Sequence, residues 1–383
     1  MKKIALVVGG SNGIGLSISQ QLIKKEDYQK VYIVDKFKPS INIGDKIVFL
    51  KFDLLNDDYS IFEQFEDIDT LIITAGFGRV DTFDNILETE IINSFKVNAI
   101  AICRIIKLFY PKLLSSTDFY CAVMGSIAGL VVSPMFALYG ATKAAVCKFI
   151  ESLNIELEKQ GSINRILNVS PGSVNGTKFN GGENNLSQTS KLANDILKNM
   201  FQKKCLLIPQ FETIYKNVLE NYTENPYQFG LQSFDYKNNT GRQKTVPQIK
   251  IGYLSGTFDL FHIGHLNLLR RAKEYCDYLV VGVHKNANHK GKQTFISFAE
   301  RIEIVKNIKY VDRVIQSYEE DTDAYNETPY NYLFVGSDYK NTERFLRYEE
   351  YFKDKDVKII YFPYTEGTSS SQLRKIIDKQ VKN

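Results

Sequence analysis

The chain has 383 residues, 44% of them hydrophobic and 24% charged, with a formal net charge of +4 and 5 cysteines. That length exceeds a typical single core, so two domains are expected, and the mild, scattered positive charge excludes a nucleic-acid footprint while suiting small anionic substrates. Cys103, Cys121, Cys147, Cys205 and Cys276 show neither CxxC spacing nor the density of a disulfide scaffold, which predicts a reducing, cytoplasmic setting.

Lysines precede the apolar run of residues 4–8 as in a secretory leader, but that run is too short for one and enters a glycine-rich turn, so it reads as a first strand. No stretch approaches the roughly 18 consecutive apolar residues of a bilayer span, and no membrane insertion is expected. Short β-branched runs follow at 31–34, 47–52, 71–74, 119–124 and 165–169, separated by helical patterns over 15–25, 86–108 and 139–160. This alternation predicts an α/β fold, a doubly wound parallel sheet with helices on both faces. A further helix over 189–205 and a short strand over 206–208, ended by Pro209, complete the pattern. Residues 211–236 give no clean period, and their fold is left open; residues 237–248 are polar, lack apolar anchors and read as a linker. Strands are expected again over 249–254, 278–283, 313–315, 332–335 and 357–362, dividing the chain into domains 1–236 and 249–383, the second a smaller α/β unit.

Val8-Gly9-Gly10-Ser11-Asn12-Gly13-Ile14-Gly15 joins the first strand to a helix. Glycines 9, 13 and 15 permit a tight turn that brings a dinucleotide pyrophosphate up to backbone N–H groups at the positive end of the helix, the role expected of Gly9, Ser11, Asn12, Gly13, Ile14 and Gly15. Asp35 ends the second strand, where a carboxylate accepts hydrogen bonds from a ribose diol and repels a 2′-phosphate, which favours NADH. Lys36 reads either as a solvated charge or as a 2′-phosphate partner, so NADPH stays open. Tyr139 and Lys143 stand at i and i+4 on one helical face, where the ammonium can stabilise the phenolate, and Ser126 lies on a loop after a strand, where its hydroxyl can bond a substrate carbonyl.

The glycine motif, Asp53 after the third strand, Ile73-Thr74-Ala75-Gly76, Asn98, Ser126, Tyr139-x-x-x-Lys143 and Pro171-Gly172 occur in an order that resembles the classical short-chain dehydrogenase/reductase family, a Rossmann fold, over roughly the first 210 residues. The resemblance implies that Tyr139 gives a proton to a carbonyl oxygen and that Ser126 stabilises and orients that oxygen. Lys143 would hold the nicotinamide ribose and tune Tyr139, and Asn98 would support a proton-relay water. It further implies that Asp53, Ala75, Gly76, Pro171 and Gly172 line the cofactor. Val8 replaces the family's threonine, and Ile73-Thr74 its paired asparagines, on the scaffold and adenosine side.

In the C-terminal part, Ser255-Gly256-Thr257-Phe258-Asp259-Leu260-Phe261-His262-Ile263-Gly264-His265 follows a strand and opens a helix. Two histidines three residues apart on a first helical turn, with Gly264 between them, form an anion site or a metal pair; with 4 histidines in the chain and no cysteine partners, a four-ligand zinc set is lacking and no metal centre is expected. Together with Asp277-Tyr278-Leu279-Val280-Val281-Gly282-Val283, Glu300-Arg301, Tyr310-Val311-Asp312, Gly336-Ser337-Asp338-Tyr339 and Thr365-Glu366-Gly367-Thr368-Ser369-Ser370, this segment resembles the cytidylyltransferase branch of the nucleotidyltransferase superfamily over residues 249–377. Its pattern resembles that of the glycerol-3-phosphate cytidylyltransferases. A Rossmann-like fold is then implied, with His262 and His265 on the CTP phosphates, aided by Thr257 within the Gly256-Thr257-Phe258 turn. Lys290 occupies the family's lysine position, Arg301 contacts acceptor phosphate or triphosphate, Thr365 and Ser369 belong to the phosphate-binding run, and Asp338 lies on the cytosine side. Tyr364 stands where the glycerol-phosphate enzymes have arginine, so Lys292, Arg344 or Arg347 substitutes for it or the acceptor lies differently.

The joint expectation is a bifunctional enzyme. A ketose phosphate, such as xylulose or ribulose 5-phosphate, is reduced with NAD(P)H to an alditol phosphate, and CTP converts this to CDP-xylitol or CDP-ribitol and pyrophosphate for a capsule or teichoic-acid-like polymer. Mg2+ would enter with the CTP phosphates, and a homo-oligomer is expected. The alternatives are a reductase domain of unrelated substrate or a non-catalytic nucleotide-binding module.

Overall fold

The first strand, β1 (Lys3–Val8), sends Leu6 and Val8 into one hydrophobic core and Ala5 and Val7 into another, as a strand covered on both faces must. In this computed structural model the described residues are 2–39, 41, 44–180, 183–240, 250–286, 293–363, 370 and 372–374. Contacts divide the chain into Met1–Val246 and Pro247–Asn383. Among the described residues no helix is long and apolar enough to cross a membrane.

In the first unit β1 is joined by β2 (Tyr28–Asp35), β3 (Ile47–Lys51), β4 (Thr70–Ile73), β5 (Tyr120–Met124), β6 (Ile166–Val169) and β7 (Leu206–Leu207) in a parallel sheet of order β3-β2-β1-β4-β5-β6-β7. The order reverses between β1 and β4, which opens a crevice at the carboxyl ends of those strands. Helices α1 (Gly13–Ile23), α2 (Glu88–Phe95), α3 (Ala101–Leu114), α4 (Ala137–Lys159) and α5 (Leu186–Phe201) cover the sheet.

The helical pattern over 86–108 is divided here. Glu90 accepts the backbone N–H of Leu87 at 3.0 Å and starts α2 at Glu88, and a π-helical turn, Lys96–Ile100, separates α2 from α3. Pro111 does not end α3, because Ile102, Ile105, Ile106, Phe109 and Leu113 bury one face of it and that packing outweighs the lost hydrogen bond. Residues 211–236 also fold into helix. A π-helical turn, Phe211–Tyr215, leads into α6 (Lys216–Glu224) and α7 (Pro226–Asn239), and α7 starts where the Asn225 side chain accepts from Gln228 N at 3.0 Å ahead of Pro226. Lys237 ties the last turn of α7 to Ser133 Oγ at 2.8 Å and Pro134 O at 2.7 Å, so helix continues past residue 236. Residues 241–249, most of the expected linker, lie outside the described residues.

The second unit is a parallel sheet of order β10-β9-β8-β11-β12, built from β8 (Ile251–Gly256), β9 (Tyr278–Val283), β10 (Arg313–Gln316), β11 (Tyr332–Gly336) and β12 (Lys358–Phe362). Its order reverses between β8 and β11. Helices α8 (Ile263–Tyr275), α9 (Phe298–Lys306), α10 (Asp321–Glu327) and α11 (Glu343–Phe352) accompany it. Leu254 faces the core that takes Leu269, Ala272 and Val305, and Tyr253 faces the opposite core with Tyr330, Phe345 and Tyr348.

Candidate active sites

In the first unit the turn after β1 is built for close backbone approach. Gly9 has φ +84°, and a Cβ there would collide with the backbone of Ala75, which itself donates to Val8 O at 3.2 Å. Ser11 N donates to Asp35 Oδ2 at 2.9 Å, so the carboxylate that ends β2 reaches the glycine turn. The Ser11 hydroxyl is buried without a partner among the described residues. Asn12 is the N-cap of α1, and Ile14 and Gly15 lie in its first turn. The Gly13 N–H is taken by Asn184 Oδ1 at 2.7 Å, and Thr177 packs on Gly13. Lys36 pairs with Asp53 at 3.1 Å, and Asp53 also accepts Leu55 N at 3.0 Å. The buried, unpaired hydroxyl and the crowded glycine turn fit a dinucleotide at this place.

Asn98 sits within the π-helical turn, where its side chain donates to Phe77 O at 2.7 Å and to Thr142 Oγ1 at 3.2 Å and accepts Phe77 N at 3.0 Å. Lys143, 1% exposed, extends from α4 to donate to Met124 O at 2.8 Å, its Nζ 5.6 Å from the centre of the Tyr139 ring. Gly76 faces both Asn98 Oδ1 and Lys143 Nζ. Ser126 accepts Ala128 N at 3.2 Å, and Pro171 O accepts Ile127 N at 3.0 Å. Gly172 is covered by the hydroxyl end of Tyr215. Thus Asn98, Ser126, Tyr139 and Lys143 come together from three separate segments, the last two from α4.

The expected tuning of Tyr139 by Lys143 takes a different form. Burial pushes the Tyr139 phenol up, with the Ser126 hydroxyl pulling it back, and burial brings the Lys143 ammonium down to about 8. Tyr139 therefore stays protonated at neutral pH, the state a proton donor needs.

In the second unit His262 is the N-cap of α8: its Nδ1 accepts Gly264 N at 3.0 Å. Its Nε2 lies 3.1 Å from Ser370 Oγ and 3.0 Å from Ser370 N, and Ser370 Oγ donates to Asp259 O at 3.1 Å. His265 Nδ1 accepts His262 N at 3.4 Å, and the two rings lie 4.0 Å apart. Burial lowers His262 from 6.5, which favours the neutral ring. The turn before the histidines contains two non-glycine residues in the left-handed region, Phe258 at φ +54° and Leu260 at φ +49°. It is held by Asp259, which accepts Phe295 N at 3.1 Å and Ile296 N at 2.9 Å and pairs with Arg374.

Two residues assigned to the nucleotide sit in the scaffold. Phe258 is 2% exposed, and its ring packs in the core and on His265 at 5.3 Å between centroids. Arg301 is 0% exposed and donates to Ile296 O at 3.0 Å, Thr257 O at 2.5 Å, His284 O at 2.8 Å and Lys285 O at 2.9 Å, so its guanidinium fastens the loops instead of facing solvent-borne phosphate. Arg344 and Arg347 both engage Glu320, at 3.2 Å and 3.6 Å. Asp338 folds back over Gly336 at the end of β11. Lys290, Lys292, Tyr364, Thr365 and Ser369 lie outside the described residues.

Sequence reasoning missed Asn184, Thr177, Tyr215 and Arg374. Asn184 and Tyr215 reach their sites across long stretches of chain, and no local signal marks them. Arg374 follows the phosphate-binding run by a few residues, and its ion pair with Asp259 needs the folded loop.

Residues 3–187 match the family described as short chain dehydrogenase, and residues 253–376 match the family described as cytidylyltransferase-like. The chain is 36% identical over 124 residues to a glycerol-3-phosphate cytidylyltransferase of Bacillus spizizenii, covering 31% of this chain and 91% of that protein. It is 30% identical over 188 residues to the uncharacterized oxidoreductase TDA5 of Saccharomyces cerevisiae, covering 46% of this chain and 57% of that protein. By fold it is similar to a short-chain dehydrogenase/reductase from Burkholderia phymatum in complex with NAD, with TM-score 0.51, 16% identity, and 59% of this chain and 96% of that chain covered. A short chain dehydrogenase from Burkholderia cenocepacia in complex with NADP gives TM-score 0.50 at 19% identity, covering 64% of this chain and 98% of that chain.

Proposed function

Because the chain belongs to the short chain dehydrogenases over its N-terminal part and to the cytidylyltransferases over its C-terminal part, and is a bifunctional enzyme, we propose that the two activities act in succession on one phosphorylated polyol. A ketose phosphate, best a pentulose 5-phosphate such as xylulose or ribulose 5-phosphate, is reduced to the alditol phosphate. CTP then gives the CDP-alditol, CDP-xylitol or CDP-ribitol, and pyrophosphate. The observation that carries this reading is the presence, on one chain, of a protonated buried phenol beside Ser126 and a pair of imidazoles 4.0 Å apart at a helix N-terminus.

A reduced nicotinamide dinucleotide, its pyrophosphate held by the glycine turn, would supply the hydride for the carbonyl carbon. Tyr139 holds the proton destined for the carbonyl oxygen, and the Ser126 hydroxyl orients that oxygen. Lys143 and Asn98 hold their neighbours in place through Met124 O and Phe77. Asp35 at the turn favours NADH, and the Lys36–Asp53 pair leaves Lys36 near enough for NADPH to serve as well. In the second unit a phosphate oxygen of the acceptor attacks the α-phosphorus of CTP, and the bond to pyrophosphate breaks. His262 and His265 donate to the phosphates, and Mg2+ accompanies CTP through its oxygens. Lys290, Thr365 and Ser369 complete the phosphate site, and Asp338 the cytosine side. We further propose that the enzyme is a cytoplasmic homo-oligomer.

A second reading, a reductase of unrelated substrate, is favoured by the aromatic packing on Tyr139: Phe136 stacks at 4.3 Å and Phe179 lies at 5.2 Å. One experiment separates the two. The full chain is incubated with CTP, Mg2+, NADH or NADPH and a panel of sugar phosphates, and products are read by mass spectrometry. Formation of CDP-alditol from a ketose phosphate, lost in Tyr139→Phe but restored by added alditol phosphate, supports the succession. CDP-alditol formation only from added alditol phosphate, with no nicotinamide oxidation by any ketose phosphate, overturns it.

A further inference from the structure

The short chain dehydrogenase match ends at residue 187 and the cytidylyltransferase-like match begins at residue 253, so α6 and α7 lie in neither. They are nevertheless fastened to two segments that bear reductase residues. The π-helical turn leading into α6 lays the hydroxyl end of Tyr215 on Gly172, next to the Pro171 carbonyl that accepts Ile127 N at 3.0 Å beside Ser126. α7 lies along residues 132–134, where a Cβ on the buried Gly230 would touch Val132 at 3.5 Å and Pro134 at 3.9 Å. Lys237, about two turns further on and so on the same face, donates to Ser133 Oγ at 2.8 Å and to Pro134 O at 2.7 Å.

The turn that receives Lys237 is one its own residues hold poorly. Phe136 N donates to Ser133 O at 3.0 Å and closes it, with Pro134 at the second position and Met135 at the third. Met135 has φ +60°, in the left-handed region where such a turn calls for glycine, and a residue with a Cβ is strained there. A strained turn persists where bonds from outside over-determine it. Here they come from Lys237 and from the Asp81 N–H, which donates to Met135 O at 2.7 Å. The next residue, Phe136, stacks on Tyr139 with ring centres 4.3 Å apart and planes 20° apart, and its carbonyl accepts Gly140 N at 2.8 Å at the start of α4. Lys237 therefore grips the chain two residues before the ring that confines the phenol.

We propose that Lys237 is a positioning residue of the reductase: from α7 it fixes the turn 133–136, so that Phe136 keeps the Tyr139 phenol beside Ser126. The effect on rate rests on Tyr139 being the proton donor, whereas the hold on the turn does not.

The test compares full-length wild type, Lys237→Met and Lys237→Arg by amide hydrogen exchange over residues 133–140, by fluorescence titration with NADH, and by NADH oxidation with xylulose or ribulose 5-phosphate. Lys237→Met is expected to exchange about 10-fold faster over 133–140. Its kcat is expected to fall about 10-fold, with the ketose phosphate KM and the NADH Kd within about 2-fold of wild type, as befits a contact that matters only in the transition state. Lys237→Arg keeps a cationic donor and is expected to return exchange and kcat to within about 3-fold of wild type. Unchanged exchange over 133–140 in Lys237→Met overturns the proposal. So does a raised ketose phosphate KM at unchanged kcat, which would place Lys237 on the substrate, and so does faster exchange throughout the first unit that Lys237→Arg leaves uncorrected. If wild type oxidises NADH with neither ketose phosphate while exchange over 133–140 rises in Lys237→Met and recovers in Lys237→Arg, the pentulose phosphate reading falls and the hold of Lys237 on the turn beside Tyr139 stands.

Discussion

Gly78 lies flat against the ring of Tyr139, so close that a methyl group on residue 78 would stand 2.5 Å from Cδ2 and 2.8 Å from Cγ of that ring. Phe136 closes the other approach, 2.9 Å from the same point, so the phenol cannot move aside without disturbing its stacked neighbour. Gly78→Ala is therefore expected to displace Tyr139 from Ser126 and lower reductase kcat by about 100-fold, the cost of a misplacement near 1 Å. Transferase activity with added alditol phosphate serves as the internal control and should not change. A reductase rate within about 2-fold of wild type would show that the phenol is not confined as described.

Lys143 carries its charge at a cost. Burial brings it from 10.5 to about 8, so between those values the unfolded chain holds a proton that the folded chain has released. Stability of the first unit should rise with pH across that window relative to Lys143→Met, by about 3 kcal/mol at about 1.4 kcal/mol per pH unit. Reductase kcat/KM should run the other way and fall as pH passes about 8, where the ammonium is lost. Tyr139, pushed up by burial, does not titrate there. Denaturant midpoints and a kcat/KM profile from pH 6 to about 10.5 measure both. An alkaline limb displaced beyond about pH 10 would contradict the buried state of Lys143.

Much of this architecture was legible in the sequence, because strands buried on both faces leave continuous apolar runs and helices leave a period near 3.6. Ile4 to Val8 and Tyr278 to Val283 needed no more than that. The turn glycines and the Tyr139/Lys143 spacing were legible because single residue types mark them. The π-helical turn around Asn98 was not, since a one-residue widening leaves the apolar period nearly intact. Residues 211–236 concealed their helices because α6 and α7 bury little: Gly230 is the one buried residue described in them, so no apolar stripe forms. The Asn225-Pro226 start was a usable local signal there. Arg301 shows what a motif cannot convey. It is set by four carbonyls from other segments of the chain.

His262 does two jobs that can be separated. As N-cap it accepts Gly264 N through Nδ1, and through Nε2 it faces Ser370. Asparagine is a good N-cap but lacks the second nitrogen, so His262→Asn should keep α8 capped, within about 1 kcal/mol of wild-type stability, while lowering transferase kcat by about 100-fold to 1,000-fold. His262→Ala should lose the cap as well. Because burial lowers the His262 pKa from 6.5, its neutral form contributes stability that is present above 6.5 and is lost as pH falls through the lower folded value. The transferase acid limb should accordingly lie below pH 6.5 and disappear in His262→Asn. An acid limb above that value would assign the ionisation elsewhere.

Arg301 decides whether the transferase loops hold together. Its guanidinium meets carbonyls of Thr257, His284, Lys285 and Ile296, which belong to the turn after β8, the segment after β9 and the approach to α9. A lysine has three donors on one atom and cannot span acceptors arranged around a planar fork, so Arg301→Lys leaves buried carbonyls unmet. The expected loss is about 3 kcal/mol, confined to the second unit because all four carbonyls lie within it. Thermal unfolding followed by nicotinamide binding for the first unit and by CTP protection for the second should show the second transition lowered and the first unchanged. Transferase kcat should fall even well below that transition, since the Thr257 carbonyl and the histidine turn share one short segment. If Arg301→Lys instead raised only the acceptor KM, with stability and CTP protection intact, the guanidinium would be touching substrate and not fastening the loops.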